Sequence, residues 1–469
     1  MRTLEPVNPA DNAFLRGGFE PVHQEISADS LSVEGALPPD LTGVYLRNGP
    51  NPRFPPLGSY TYPLEGDAMI HGVWIEGGRA RYRNRWVRTK GFLAEERAGR
   101  ALFGGLMTPA FVDQKLLGPE PDPGWPFKLD PFINVVRHGG RYLALAEGFP
   151  PYEVTADLDT VGLYDFAGKL PAGICAHPHV DRAGGEMVVF RYDAEAPFLS
   201  WAVVDAAGMV IRPPTVVDGV DRGFMIHDFV LTERHVVLVI APVVFDLQAL
   251  STGGAPLSWQ PELGTRVAVI PRNGGPTRWI EGEAFWAWHY ANGYDDGEDV
   301  VVDFPWWSAL TLGGPGSSGV RGGFTRARLQ PARGTFELTH LDARPSEFPR
   351  IDDRVTGRAH RYLTISRKSG GQAVLSGGEF DQLVRYDMES GTSASHDVGA
   401  VIGEVVFAPR DGGADELDGY YLTFASDRQA NHSWLLVWDA STFPAEPVAR
   451  VTIPQRVPNG LHGNWLPAR

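Results

Sequence analysis

Four histidines constrain this chain more than any other feature, because each sits in a short segment that reads as the inner edge of a β-strand. They are His177 in AGICAHPHVD, His227 in GFMIHDFV, His289 in FWAWHYANGYDDG and His462 in PNGLHGNW, from four well-separated parts of the sequence. Only a closed, radially organised fold could point all four at one spot, and imidazoles gathered at one spot are a metal site. A lone strand histidine is more often a core or sheet-edge residue than a ligand. The weight of the reading therefore rests on the company each one keeps.

Alternating or β-branched runs recur throughout: Asn134 to Ala146, Glu186 to Tyr192, Leu199 to Asp205, His227 to Ala241, Arg266 to Ile270, Asp299 to Phe304, Gln382 to Asp387, Gly419 to Ala425 and Ser433 to Asp439. Turn signals such as HGGR, DAAG, RNGG and MESG separate them. The 55 glycines and 39 prolines make about a fifth of the 469 residues, which fits many tight turns and stays below low complexity. The chain is thus all-β in the main. No fixed-period repeat stands out, so the pattern alone leaves sandwich, barrel and propeller open. Length alone would favour two or three domains.

A formal net charge of −15 argues against a nucleic-acid partner, which needs clustered Lys and Arg to displace counterions. It also disfavours anionic lipid, while leaving room for a peripheral membrane contact through an apolar patch. The single cysteine, Cys175, excludes an internal disulfide and suits a reducing compartment. It is a soft donor two residues before His177, although a small buried hydrophobe is the plainer reading. The amino terminus shows no signal-peptide pattern, and the longest apolar run, His235 to Phe245, is far short of a bilayer span. A cytoplasmic protein is expected.

Nine segments, in order, carry a resemblance to a known family: LPPDLTGVYLRNGPNP (37 to 52), EGDAMIHGVWIEGGRARYRNRWVRTKGF (65 to 92), LALAEG, AHPHVD, MIHDF, HYANGYDDG, EFPRIDDR, GEVVF and GLHGNW. Together they resemble the carotenoid cleavage oxygenases, a family that takes in bacterial apocarotenoid and lignostilbene oxygenases and the plant and animal carotenoid and retinoid enzymes. The resemblance implies one domain over 1–469, a seven-bladed β-propeller with a dome of loops and short helices over a metal-bearing axis. A dome helix is expected within Phe92 to Leu117, with further dome segments at Val243 to Trp259 and 305 to 319.

The resemblance also implies the chemistry. Imidazole by itself suits Zn, Cu, Fe or Ni; the family implies Fe(2+), held by His177, His227, His289 and His462, with His177 rather than the neighbouring His179 as ligand. Metal-bound imidazoles normally give their other N–H to a carboxylate or carbonyl, and Glu147, Glu347 and Glu404 stand where the family places those carboxylates. The activity implied is cleavage of a carbon–carbon double bond by O2 into two carbonyl products, with no organic cosubstrate. A propeller kept only as a binding module would have lost some of these seven residues, and all are present.

Stilbene-cleaving members resemble one another in a tyrosine after the dome helix and a lysine before the first of the three glutamates. Here those positions read Leu106 and Ala146. A carotenoid or apocarotenoid is therefore the expected substrate, with a stilbene or phenylpropanoid as the alternative; Tyr62, Tyr152 and Lys90 could still supply a phenol contact. Phe103, Leu106, Ala146, Phe149 and Phe224 are expected to line the substrate tunnel, although aromatic residues near a β core are as often packing.

Overall fold

Leu199–Val204 is buried at all six positions, which a strand tolerates only in a sheet covered on both faces. Sheets stacked face to face around an axis provide that cover. The computed structural model describes residues 4–110, 112–119, 127–128, 130–181, 183–246, 248–249, 256–310, 319–370, 379–427 and 431–468.

Four antiparallel sheets follow one another along the chain, from Asn134–His138 to Thr160–Leu163, His179–Asp181 to Val210–Val216, Val230–Leu231 to Arg278–Gly282, and Asn292–Asp296 to Thr335–Asp342. A nine-stranded sheet holds two further blades, because Thr392–Ile402 pairs with Phe380–Asp387 along most of its length and with Gly419–Asp427 at its end. The seventh blade joins both ends of the chain: Gly463–Pro467 pairs with Gly43–Arg47, which continues into Met69–Glu76 and Arg79–Trp86. A second overlap sets Val33–Gly35 against Ala449–Ile453 in the preceding blade. Edges that would otherwise stay open are thereby paired.

The innermost strand of each blade lies on the axis. Val406–Pro409 touches Gly463–Pro467, which touches Asn134–His138; His179–Asp181 touches Val230–Leu231, which touches Asn292–Asp296. The core fills the wedges between blades: Leu143 and Leu145, Val188 and Phe190, and Val236 and Leu238 come from three successive blades into one cluster. Burying each such side chain contributes about 1.5–3 kcal/mol.

Over one end lie the segments that interrupt the blades. The helix Lys90–Ala98 starts at Thr89, whose hydroxyl accepts from Phe92 N, and stops at Gly99 in the left-handed conformation (φ 66°). It begins two residues before the expected Phe92 to Leu117 region and ends early in it, and the 3-10 turn Gln114–Leu117 closes that region. Residues 243 to 259 are not strandless, since Val243–Phe245 and Leu257–Trp259 form a hairpin. Residues 305 to 307 complete the strand Asp299–Trp307, and 311–318 lie outside the described residues. Among the described residues, no helix is long and apolar enough to cross a membrane.

Candidate metal centre

Every blade sends one polar residue to the same end of the axis. His177, His227, His289 and His462 each precede the innermost strand of their blade by a few residues. Glu347 lies in, and Glu404 just before, the innermost strands Ser346–Arg350 and Val406–Pro409. Glu147 follows Arg141–Leu145 of the remaining blade. A strand starting near the axis must bring its first residues within reach of its neighbours' first residues. That geometry gathers six segments separated by tens of residues, and Glu147 joins them from the end of the strand antiparallel to the innermost one of its blade.

One ligand nitrogen from each of the four histidines lies within 4.8 Å of the others. His177 Nε2 and His227 Nε2 are 3.1 Å apart, and His227 Nε2 and His289 Nε2 are 3.2 Å apart. On the far side of the rings, Glu147 Oε1 meets His227 Nδ1, Glu347 Oε2 lies 2.7 Å from His289 Nδ1, and Glu404 Oε1 lies 3.1 Å from His462 Nδ1. A carboxylate can only accept, so each of these Nδ1 atoms carries the proton and each Nε2 turns a lone pair inward.

Lone pairs 3.1 Å apart repel, and a cation between them removes the conflict. Two nitrogens bound at about 2.1 Å to one ion and at right angles would lie about 3.0 Å apart. The donor set therefore fits a divalent transition metal of intermediate softness. Burial, together with its three histidine neighbours, holds the His177 ring well below its usual value, and burial lowers His462 despite Glu404. His289 goes the other way: burial opposes the charge, but Glu347 outweighs it and raises the ring.

The carboxylates are themselves held. Glu347, fully buried, also accepts from Trp307 Nε1 at 2.8 Å and from Phe348 N at 3.1 Å. Phe348 adopts φ 56°, a conformation an L-residue enters at a cost, and its ring stacks on His289 at 5.6 Å. Burial alone would raise the Glu404 carboxyl, but Arg350 at 3.3 Å, His462 and the Gly463 N–H outweigh it and hold it at about 2. Tyr192 donates its hydroxyl to Glu147. Tyr192, Trp307 and Arg350 were missed as site residues; Arg350 lies within EFPRIDDR, whereas the other two stand in ordinary strand sequence.

His179 does not point into the group; its Nε2 faces Asp228 Oδ1 and the Phe229 carbonyl. Cys175 is buried in the core, where burial pushes its thiol up to about 12, and it is not among the donors gathered with the four histidines.

Two cavities reach the centre. The one beneath the dome, about 500 Å3, is lined among others by Phe103, Leu106, Phe132, Ile133, Phe149 and Met225, and touches the centre through Ala146 and Glu147. Phe224 is not in its wall: it is buried in the core with Phe166 and Leu170, and the next residue, Met225, faces the cavity instead. A one-residue offset exchanges the two sides of an extended segment. Tyr62 and Tyr152 are likewise core residues, while Tyr60 and Tyr192 line the cavity. The second cavity, about 530 Å3, follows the axis on the other side and is lined by His177, His179, Asp228, His289, Arg350, Glu404 and His462.

A four-histidine centre on the axis of a seven-bladed propeller defines a class of metalloenzyme. The family described as Retinal pigment epithelial membrane protein matches residues 19–467. A Mycobacterium tuberculosis protein named Carotenoid cleavage oxygenase is 34% identical, covering 98% of each chain. Resveratrol cleavage oxygenase 1 of Aspergillus fumigatus is 32% identical over 100% of this chain and 97% of that one. The crystal structure of a Pseudomonas brassicacearum lignostilbene dioxygenase superposes with a TM-score of 0.88 at 27% identity, covering 99% of each chain. The chain belongs to the carotenoid cleavage oxygenase family and is an alkene-cleaving dioxygenase.

Proposed function

We propose that this protein is a non-haem iron(II) dioxygenase that cleaves one carbon–carbon double bond of a carotenoid or apocarotenoid with O2. In this reading His177, His227, His289 and His462 hold the iron, and Glu147, Glu347 and Glu404 orient His227, His289 and His462. The observation that carries it is the set of four inward-facing nitrogens, three of them backed by carboxylates. Ferrous iron, when bound there, supplies the site at which O2 is activated. The two atoms of O2 end in two carbonyl groups, the double bond is consumed, and no proton need be moved by the protein.

The chain's own residues supply binding and exclusion of water. Phe103, Leu106, Ala146 and Phe149 offer hydrocarbon along the dome cavity, and a polyene gains about 25 cal/mol per Å2 of apolar surface buried there. A stilbene is the second reading, favoured by Tyr60, Glu65 and Lys128 in the same wall, which could meet a phenol. Phe127, 40% exposed, is also in that wall, and Leu93 and Leu116 are exposed on the neighbouring dome segments. In our reading these residues rest on a neutral lipid surface and receive the apolar substrate from it. We take residues 1–469 as one domain, because both chain ends enter neighbouring blades, and a cytoplasmic setting as the one that suits an enzyme with a single, buried thiol.

The deciding experiment incubates ferrous-loaded protein with a panel of apocarotenoids and hydroxystilbenes under 18O2 and reads the products by mass spectrometry. The expected result is a pair of labelled carbonyl products from an apocarotenoid. Turnover of a hydroxystilbene with none of any carotenoid would replace the first reading by the second.

A further inference from the structure

Three of the four histidines have a carboxylate behind the ring; among the described residues, no hydrogen bond or ion pair gives His177 one. Something else must set its direction. Two residues further on, across Pro178, the His179 side chain lies edge-on to Phe229 at 4.7 Å, with Nε2 3.0 Å from the Phe229 carbonyl and 3.3 Å from Asp228 Oδ1. Only Pro178 separates the two histidines, so anchoring His179 holds the backbone beside His177 even though the two rings face different partners.

Asp228 is the hub of this arrangement. It is 4% exposed and immediately follows His227. Its Oδ1 accepts from Phe229 N at 2.7 Å, and its Oδ2 accepts from Tyr290 N, the residue after His289, at 2.9 Å. One carboxylate thus ties together the segments that carry His177, His227 and His289, in three successive blades. A carboxylate suits the task because both oxygens accept and neither needs a donor's geometry.

We infer that Asp228 and His179 are positioning residues that clamp the three histidine-bearing segments at the spacing a metal requires, standing in for the carboxylate that His177 lacks. The inference rests on the four-histidine centre being a metal site. Asp228→Asn keeps the shape but turns one acceptor oxygen into an amide donor, which must then face an N–H. His179→Leu removes the contact with Asp228 and Phe229, whereas His179→Gln retains an N–H donor.

Cobalt(II) serves as the probe, since its visible absorption reports ligand geometry as well as occupancy. The full chain is stripped of metal, titrated with Co2+, and melted with and without it. Asp228→Asn is expected to lower Co2+ affinity about 10- to 100-fold, to shift the absorption band, and to shrink the rise in melting temperature that cobalt gives. His179→Leu should do the same to a smaller degree, and His179→Gln should stay close to the parent. A purely structural role would lower the metal-free melting temperature and leave band and affinity alone. If Asp228→Asn fails to fold, the two His179 variants decide. Parental affinity and an unshifted band in His179→Leu, or in folded Asp228→Asn, overturn the clamp; failure of the parent protein to bind Co2+ overturns the metal centre itself.

Discussion

The cavity beneath the dome and the cavity on the axis are similar in volume, about 500 and 530 Å3, and both reach the histidine centre. Their walls are built on different principles. Around the axis, polar groups are fixed by bonds: Glu404 by Arg350 and Gly463 N, Glu347 by Trp307 and Phe348 N, Asp228 by Phe229 N and Tyr290 N. Beneath the dome much of the wall is apolar side-chain volume, from Leu57, Phe103, Leu106, Phe149 and Phe245, with one ion-pair cluster of Lys128, Asp67 and Glu95 at its edge. Losing a partner on the axis leaves a buried charge or donor unsatisfied, at about 1–3 kcal/mol or more. Changing a dome residue alters which molecule fits. On the proposed function, the axis decides whether there is a catalyst, and the dome decides for what.

The sharpest way to break that division is at the histidines. His227→Ala or His289→Ala should lose the bound metal altogether, read by elemental analysis, and with it all turnover, while the circular dichroism of the propeller persists. A variant retaining a full equivalent of iron and its activity would dissolve the distinction. Next come the carboxylates: Glu147→Gln, Glu347→Gln and Glu404→Gln should each lower metal affinity or activity about 10- to 100-fold. Glu347→Gln and Glu404→Gln should be more severe than Glu147→Gln, because three donors converge on each of those two carboxylates. Normal activity in all three would remove them from the centre.

On the dome side the expected effects are selective. Leu106→Tyr combined with Ala146→Lys should leave iron content unchanged and shift the kcat/KM ratio toward a 4-hydroxystilbene by about tenfold, the worth of one satisfied buried hydroxyl. A fall in iron content instead would mean that the dome wall also builds the centre. The smallest effect is expected at the rim. Leu116→Glu and Phe127→Glu should weaken sedimentation with neutral phosphatidylcholine vesicles several-fold, each removing a fraction of the about 1.5–3 kcal/mol that full burial of such a side chain contributes, without altering kcat for a detergent-dispersed substrate.

The axis was far more legible in the sequence than the dome, for the same physical reason. A histidine or glutamate at the start of an inner strand tolerates no neighbour that spoils its approach, so the local sequence is distinctive. Gly460 in GLHGNW shows this: a Cβ there would sit 2.7 Å from Arg47 Nε. The dome wall needs only apolar bulk, which many residues supply. Phe224 and Met225 are both apolar and adjacent, and nothing local says which faces the cavity. The hairpin Val243–Phe245 with Leu257–Trp259 was equally hidden, since its strands are three residues long. Tyr192 escaped notice because it ends an unremarkable strand, and its role depends on Glu147, 45 residues away.

The closure of the ring has a temporal side. The strand that carries His462 to the axis is Gly463–Pro467, and its partner, Gly43–Arg47, was synthesised more than four hundred residues earlier. While the chain is still emerging from the ribosome, the axis can hold at most three imidazoles, and the first blade waits with an unfilled inner edge. Four-nitrogen coordination can begin only when the last blade strand has left the exit tunnel and docked. The complete four-nitrogen site is thus available only to a chain whose ring has closed.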